Sequence, residues 1–450
     1  MADLVQADVV IIGAGCAGLA AAVRLAGRGA KVVVVEQAPR LGGRASSFID
    51  RASGERVDNG QHVLFGCYRQ TYALLAELGA ADRAPLERTL QLTMAGGLDG
   101  RSFQLHCPEL PSPWHLMFGL LTWSAVPLAD RLAARHMKSL LQDAHRLRPD
   151  EVAASVDPSL TVTEWLAERR QPASMRKWLW NPLAYAALNQ SPDEAAARPF
   201  VRVLAEMFGA DPHAAAVGLP RVPLDELMAV PAADYLQARG GTVMTRRPAR
   251  IAMHGDRIAS VKVGDTTVRA STVISAVPWH AFSGMWEETV PSALNDVARN
   301  AAGMRPTPIV TVNLWFDRSV MDHRTSFLGV ADGTTQWLFD REKITGTGGH
   351  LSAVSSGAVD LVRLENDELI ARAETDVRRV LPAAGRATLT RALVVREPRA
   401  GFSLAPNSPQ RPRTVTPLPG FLLAGDWTDT GLPATIEGAV RSGFAAAEHA

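Results

Sequence analysis

The residue types able to do chemistry gather near the amino terminus. Gly13, Gly15 and Gly18 form the spacing G-x-G-x-x-G, and Glu36 follows 18 residues beyond Gly18. Each glycine has its own task. Gly13 permits a tight turn, Gly15 lets backbone approach a pyrophosphate, and Gly18 lets the next helix lie close on a sheet. A carboxylate at the distance of Glu36 can accept hydrogen bonds from ribose hydroxyls, so the constellation suits a dinucleotide. Gly42-Gly43-Arg44 then follows Glu36 in the pattern E-x5-G-G-R. Farther on, Asn59, Gly60, Gln61 and His62 put three polar side chains into the stretch 58–68, DNGQHVLFGCY. Two roles are open to Gln61 and His62: hydrogen bonding to a cofactor or to neighbouring backbone, and, for the imidazole, proton transfer.

These side chains need elements to hold them. Val9, Val10, Ile11 and Ile12 are a β-branched run of the kind a strand buried on both faces requires. A helix is expected over 19–26, ended by Gly27 and Gly29, and a second buried strand over 31–35. The amino-terminal N–H groups and positive dipole end of the helix would face phosphates. After Arg44 the pattern predicts a strand, a turn at Ser53-Gly54, a short strand near 56–57, and a helix ending at Gly79. Residues 232–278 return to α/β character, with strands at 242–244, 257–263, 267–269 and 272–278. The alternating stretch 307–317 reads as a strand of a second sheet, followed by 337–339 and 350–354, a helix over 366–380 and a strand at 392–396. Near the carboxyl terminus, 421–426 is a buried strand ending in Gly425-Asp426, and Pro433 opens a last helix through Thr435, Ile436 and Glu437.

Between these blocks lies a helical region. Residues 110–129 contain no Asp, Glu, Lys or Arg but are interrupted by Pro111, Pro113 and Pro127. The uninterrupted part, 114–126, is too short to span a bilayer, which needs about 20 apolar residues. It reads either as a core helix, or as a helix lining a greasy channel or resting on a membrane surface with Trp114 and Trp123 at headgroup level. Helices are expected over 132–148 and from 163, and 178–189 is apolar with an Asn181-Pro182 corner. There Asn181 or Tyr185 either faces a substrate or packs structurally.

Composition bounds the function. With 450 residues, 47% of them hydrophobic, the chain can bury a large core. The formal charge of +1 offers no global field for nucleic acid, which is not expected as a partner. Cys16, Cys67 and Cys107 lack metal-ligand spacing, so no metal is expected, and their small odd number fits a reducing compartment. The dinucleotide motif begins within the first fifteen residues, leaving no room for a cleavable signal before it, and a cytoplasmic location is the expectation.

Gly42-Gly43-Arg44 behind Glu36 resembles the flavin amine oxidase and isoprenoid desaturase superfamily, in which FAD is a prosthetic group. The wording DNGQHVLxGCY is similar to one branch, the hydroxysqualene dehydroxylases, over nearly the whole chain. The resemblance implies an α/β fold: a Rossmann-type, glutathione reductase-like FAD-binding domain formed by 1–82, 216–282 and 400–450, and a discontinuous α+β substrate domain formed by 83–215 and 283–399. It implies that Gly42, Gly43 and Arg44 pass the diphosphate and flavin. Gly60, Gln61 and His62 would run past the isoalloxazine, and Ala249 would meet the adenine through main chain. Asp426, after Gly425, would reach the ribityl chain or diphosphate, and Thr435, Ile436 and Glu437 would aim a helix terminus at the flavin. The activity implied is reduction of hydroxysqualene to squalene with loss of water, with His62 the preferred proton donor and Tyr185 the reserve. The partner is then a long-chain isoprenoid, with peripheral membrane contact a corollary. Three alternatives compete: a carotenoid or phytoene desaturase running hydride toward FAD, an amine oxidase, and a prenyl-chain carrier of the same fold. The scarcity of Tyr, with four in the chain and none near the carboxyl terminus, tells against an aromatic cage for an amine. A carrier would not need an intact flavin site.

Overall fold

The structure, a computed structural model, describes residues 3–97, 100–346 and 348–450. Val9–Ile12, buried on both faces, is the middle of a five-stranded parallel sheet. The order is Thr242–Met244, Val32–Val35, Val9–Ile12, Thr272–Ser275, Phe421–Leu423. Strands more than 400 residues apart therefore share one sheet. The helix Cys16–Gly27 covers it and packs against the last helix, Ile436–His449, within one apolar core. Gly443 makes that crossing possible: a Cβ there would lie 2.2 Å from the Ala17 carbonyl oxygen. The first helix begins three residues earlier than the expected 19–26, and Arg28 is its C-cap.

A four-stranded sheet, Asp3–Gln6, Thr266–Arg269, Arg257–Val263 and Ala249–His254, flanks the first. The third sheet has seven strands in the order Leu389–Phe402, Pro306–Phe316, His350–Ser356, Trp337–Asp340, Phe327–Val330, Gln91–Gly96, Arg101–His106. Every pairing in it is antiparallel except that of Phe327–Val330 with Gln91–Gly96. Helices between Trp114 and Met207 cover this region.

Two local readings change. Asn181-Pro182 is not a helix-breaking corner. The wide turn Arg176–Trp180 runs directly into the helix Asn181–Leu188. Pro182 falls inside this continuous run, directly after the wide turn, where the looser i→i+5 bonding accommodates its missing N–H. The apolar stretch 114–126 is a helix only over Trp114–Thr122, and Trp123 is buried rather than placed at a surface.

Candidate active site

Two cavities meet where the parallel sheet faces the seven-stranded one. The first is a cleft of about 730 Å³ along the carboxyl ends of the parallel strands, running past Gly13, Gly15, Glu36, Arg44, Ala249 and Asp426. The second, about 280 Å³, is walled mainly by apolar side chains, among them Leu183, Phe208, Ile309, Trp337 and Phe339. Arg44, His62, Glu397, Thr435 and Ile436 line both.

The glycine turn is built as its spacing demands. Gly13 has φ +104° and a Cβ there would meet the Ala276 carbonyl oxygen at 2.8 Å, while a Cβ on Gly18 would sit 1.9 Å from the Gly13 oxygen. A Cβ on Gly15 meets nothing within 4 Å, and Gly15 lines the cleft, so backbone is bare where a diphosphate needs to approach. The second glycine pair is tied to this turn. The Gly42 N–H donates to the Ala14 carbonyl at 2.8 Å, and Gly15 and Gly42 form an isolated bridge. The Glu36 carboxylate accepts from the N–H groups of Ala14 and Ala38, both at 2.8 Å, which fixes its orientation and leaves lone pairs on each oxygen. A long cleft with bare backbone at its waist, a held carboxylate at one end and a helix terminus at the other fits FAD.

Arg44 and Asp426 are expected from the sequence to reach the cofactor. The structure pairs them with each other. Arg44 Nη2 donates to Asp426 Oδ1 at 2.7 Å and Nη1 to the Ala400 carbonyl at 2.7 Å. Burial disfavours the Arg44 charge, but Asp426 outweighs it and lifts the guanidinium pKa above its usual value. A buried carboxylate and a half-buried guanidinium in one cleft wall pair with each other. The Glu437 side chain is likewise engaged by protein. Its carboxylate, 1% exposed, accepts from the backbone of Gln70 and Thr71 and from the Thr71 hydroxyl, at 3.2, 2.9 and 2.8 Å. It thereby caps the helix Arg69–Glu77 rather than turning to the cleft. Thr435 caps its own helix by accepting from Gly438 N–H at 3.0 Å, and this helix terminus points at the meeting of the cavities.

The loop carrying Asn59, Gly60, Gln61 and His62 lines the second cavity. Asn59 Nδ2 donates to Glu397 at 3.1 Å, and Gln61 accepts from Arg341 at 2.6 Å and donates to Ser352 at 3.3 Å. Arg341 also forms a buried ion pair with Asp58. Gln61 is thus engaged by the seven-stranded sheet. Burial pushes the His62 pKa down, against the opposing pull of Asp58 and a hydrogen bond to the Arg44 backbone. The imidazole is neutral at neutral pH.

Tyr185 falls outside the constellation. The helix Asn181–Leu188 turns Pro182, Leu183, Ala186 and Ala187 to the cavity, which leaves Tyr185 on another face, its ring edge beside Gly357. Two residues at the cavity had no assigned role. Tyr68 lines it with no hydrogen-bond partner among the described residues, and burial holds its phenol protonated. It closes the same 58–68 stretch, which was its available signal. Glu397 stands in the polar run Arg396-Glu397-Pro398-Arg399 of the strand Leu389–Phe402, where an acid reads as solvated, and nothing in the sequence marks it.

A profile of the family described as flavin containing amine oxidoreductase matches residues 16–450. Hydroxysqualene dehydroxylase of Zymomonas mobilis subsp. mobilis is 30% identical over 447 residues, covering 97% of each chain. The 15-cis-phytoene desaturase of an Oncidium hybrid cultivar is 26% identical, covering 97% of this chain and 76% of its own. Cyclohexylamine oxidase from Brevibacterium oxydans superposes with a TM-score of 0.71 at 19% identity over 98% of both chains, a likeness of fold.

Proposed function

The chain belongs to the flavin containing amine oxidoreductase family and is an FAD-dependent oxidoreductase, and from that premise we propose that it reduces hydroxysqualene to squalene with loss of water. The observation that carries this reading is an imidazole standing where a dinucleotide cleft opens into a hydrocarbon-walled cavity. Reductive removal of a hydroxyl needs a proton on the leaving oxygen as well as hydride on carbon, whereas desaturation of a polyene needs no acid. Similarity to hydroxysqualene dehydroxylases supports the same choice.

FAD, when bound and reduced, supplies the hydride. The chain's residues do the rest. Gly15 would bring bare backbone to the diphosphate, with Gly13, Gly18, Gly42 and Gly43 closing the tight turns that place it there, Glu36 would meet the ribose, and Ala249 would meet the adenine through main chain. The Arg44–Asp426 pair and Gly425 hold the cleft wall beside the flavin, and Gly60, Thr435 and Ile436 border its reactive end. Apolar walls exclude water and seat the isoprenoid. His62 gives a proton to the hydroxyl oxygen, the carbon–oxygen bond breaks, a carbon–hydrogen bond forms, and the oxygen departs as water. On the same reading the FAD-binding part comprises 1–82, 216–282 and 400–450.

Phytoene-type desaturation is the second reading, supported by the 26% identical relatives and by a cavity equally suited to a polyene. Incubating dithionite-reduced holoprotein with hydroxysqualene under anaerobic conditions tests both. Squalene is the expected product. No squalene, together with desaturated product from phytoene and oxidised flavin, overturns the proposal.

A further inference from the structure

The helix Trp114–Thr122 carries no charged residue and is apolar on both sides. Its inner face buries His115, Leu116, Gly119 and Leu120, as a surface helix should. Its outer face presents Trp114, Met117, Phe118 and Leu121, one stripe at helical spacing, 61, 40, 55 and 41% exposed. Leu110, Leu128 and Leu132 extend the stripe, so half of the fourteen exposed large hydrophobics among the described residues fall within 110–132. Scattered exposed leucines need no explanation, but a contiguous face does. Around it the charge is mainly basic, and Glu109, the acid beside Leu110, pairs with Arg88 at 3.7 Å. Residues 110–138 contain Arg131, Arg135 and Lys138 against a single acid, Asp130, which accepts a hydrogen bond from Ser174 at 2.6 Å. Arg131 donates to the Leu121 carbonyl at 2.8 Å, which sets its guanidinium at the edge of the stripe, and Arg135 and Lys138 are exposed.

We propose that this face docks the protein on an anionic phospholipid bilayer, with the stripe entering the headgroup and acyl boundary and the basic rim on the phosphates. A short amphipathic platform with aromatic and leucine anchors and a cationic border matches that interface. A second copy of the chain fits less well, because a two-fold contact through the stripe would bring the basic rims together. No helix among the described residues is long and apolar enough to cross a membrane, so the contact is superficial. The helix does not line the site but packs beside a strand, Arg101–His106, that does. Gly119 lies against Cys107, where a Cβ would be 2.8 Å from the sulfur, and Leu105, two residues back in the chain, lines the apolar cavity. A bilayer held here is separated from that cavity by the helix and the strand Arg101–His106. Docking stands on the face itself; only its use in supplying an isoprenoid rests on the proposed function.

The test is flotation of the FAD-loaded full chain with vesicles of phosphatidylcholine alone or mixed with phosphatidylglycerol. Flotation with the mixed vesicles, falling in high salt and with phosphatidylcholine alone, is expected. The double variant F118S/L121S should bind the mixed vesicles about tenfold or more weakly while keeping its flavin absorbance and its turnover of detergent-dispersed substrate. Absence of wild-type flotation overturns docking, as does equal flotation by the variant. A wild-type dimer in sedimentation that the variant loses, without vesicle binding, assigns the face to a second copy instead. Because flotation needs no turnover, failure of the hydroxysqualene reaction leaves this result intact.

Discussion

His62 is neutral around pH 7 because burial lowers its pKa, so the fraction able to release a proton grows as the medium acidifies. Turnover of hydroxysqualene should therefore climb below about pH 6.5. H62Q should remove that limb and lower kcat by about 10²–10⁴. A pH profile unchanged by the substitution would take the donor role from His62. His350 bears on stability instead. Burial, with repulsion from Arg341 and Arg391, pushes its pKa to about 3 as it stacks on Trp315 at 4.1 Å. The folded value lies below the unfolded one, so the unfolded chain binds more protons, and the stabilisation present above the ordinary histidine range is lost as pH falls. Between pH 7 and 5 this single group should cost about 2 kcal/mol in urea unfolding, and H350F should flatten the difference. The Arg44–Asp426 pair predicts a binding effect. D426A removes the buried carboxylate that holds the half-buried Arg44 guanidinium in place, and FAD retention after dialysis should weaken about tenfold or more.

The two helices on the parallel sheet are set by their smallest residues. Replacing Gly443 by Ala adds about 1 kcal/mol of helix propensity. The new Cβ, however, meets a backbone oxygen of the other helix at 2.2 Å, and such overpacking costs about 1–3 kcal/mol. The steric effect wins because backbone cannot rotate aside, so G443A should lower the unfolding temperature, as calorimetry would show. Much of this level was legible beforehand. Gly13, Gly15, Gly18 and Glu36 carry local chemistry that dictates strand, turn and helix, and the runs 9–12 and 421–423 are apolar enough to demand burial. The partners of long polar side chains were not legible. Arg44 meets Asp426 across 382 residues of chain, and Glu437 caps a helix 366 residues upstream of it. Neither target has a sequence spacing to betray it. Tyr185 fails for another reason. Which face a helix turns inward depends on its neighbours, and an apolar helix gives no stripe to read.

Across the whole molecule, the cofactor cleft is closed by strands and helices from both chain ends, so FAD adds a further tie between segments already joined by the sheet, the helix crossing and the Arg44–Asp426 pair. Ligand that binds only the folded state stabilises by mass action, about 2.7 kcal/mol at a hundredfold excess over Kd. Apoprotein should melt lower than holoprotein, with the gap widening as FAD is added in differential scanning fluorimetry. Deleting residues 436–450 should abolish both the gap and the yellow colour. The tethering of the 58–62 loop carries a last consequence. Its flanking segments belong to the nucleotide side, yet Asn59 bonds Glu397, Gln61 bonds Arg341 and Ser352, and Arg341 pairs with Asp58. Were the two halves to hinge apart, the acid would ride with the floor beneath the oil, keeping its aim on the alcohol while the gap to the yellow ring opened and shut.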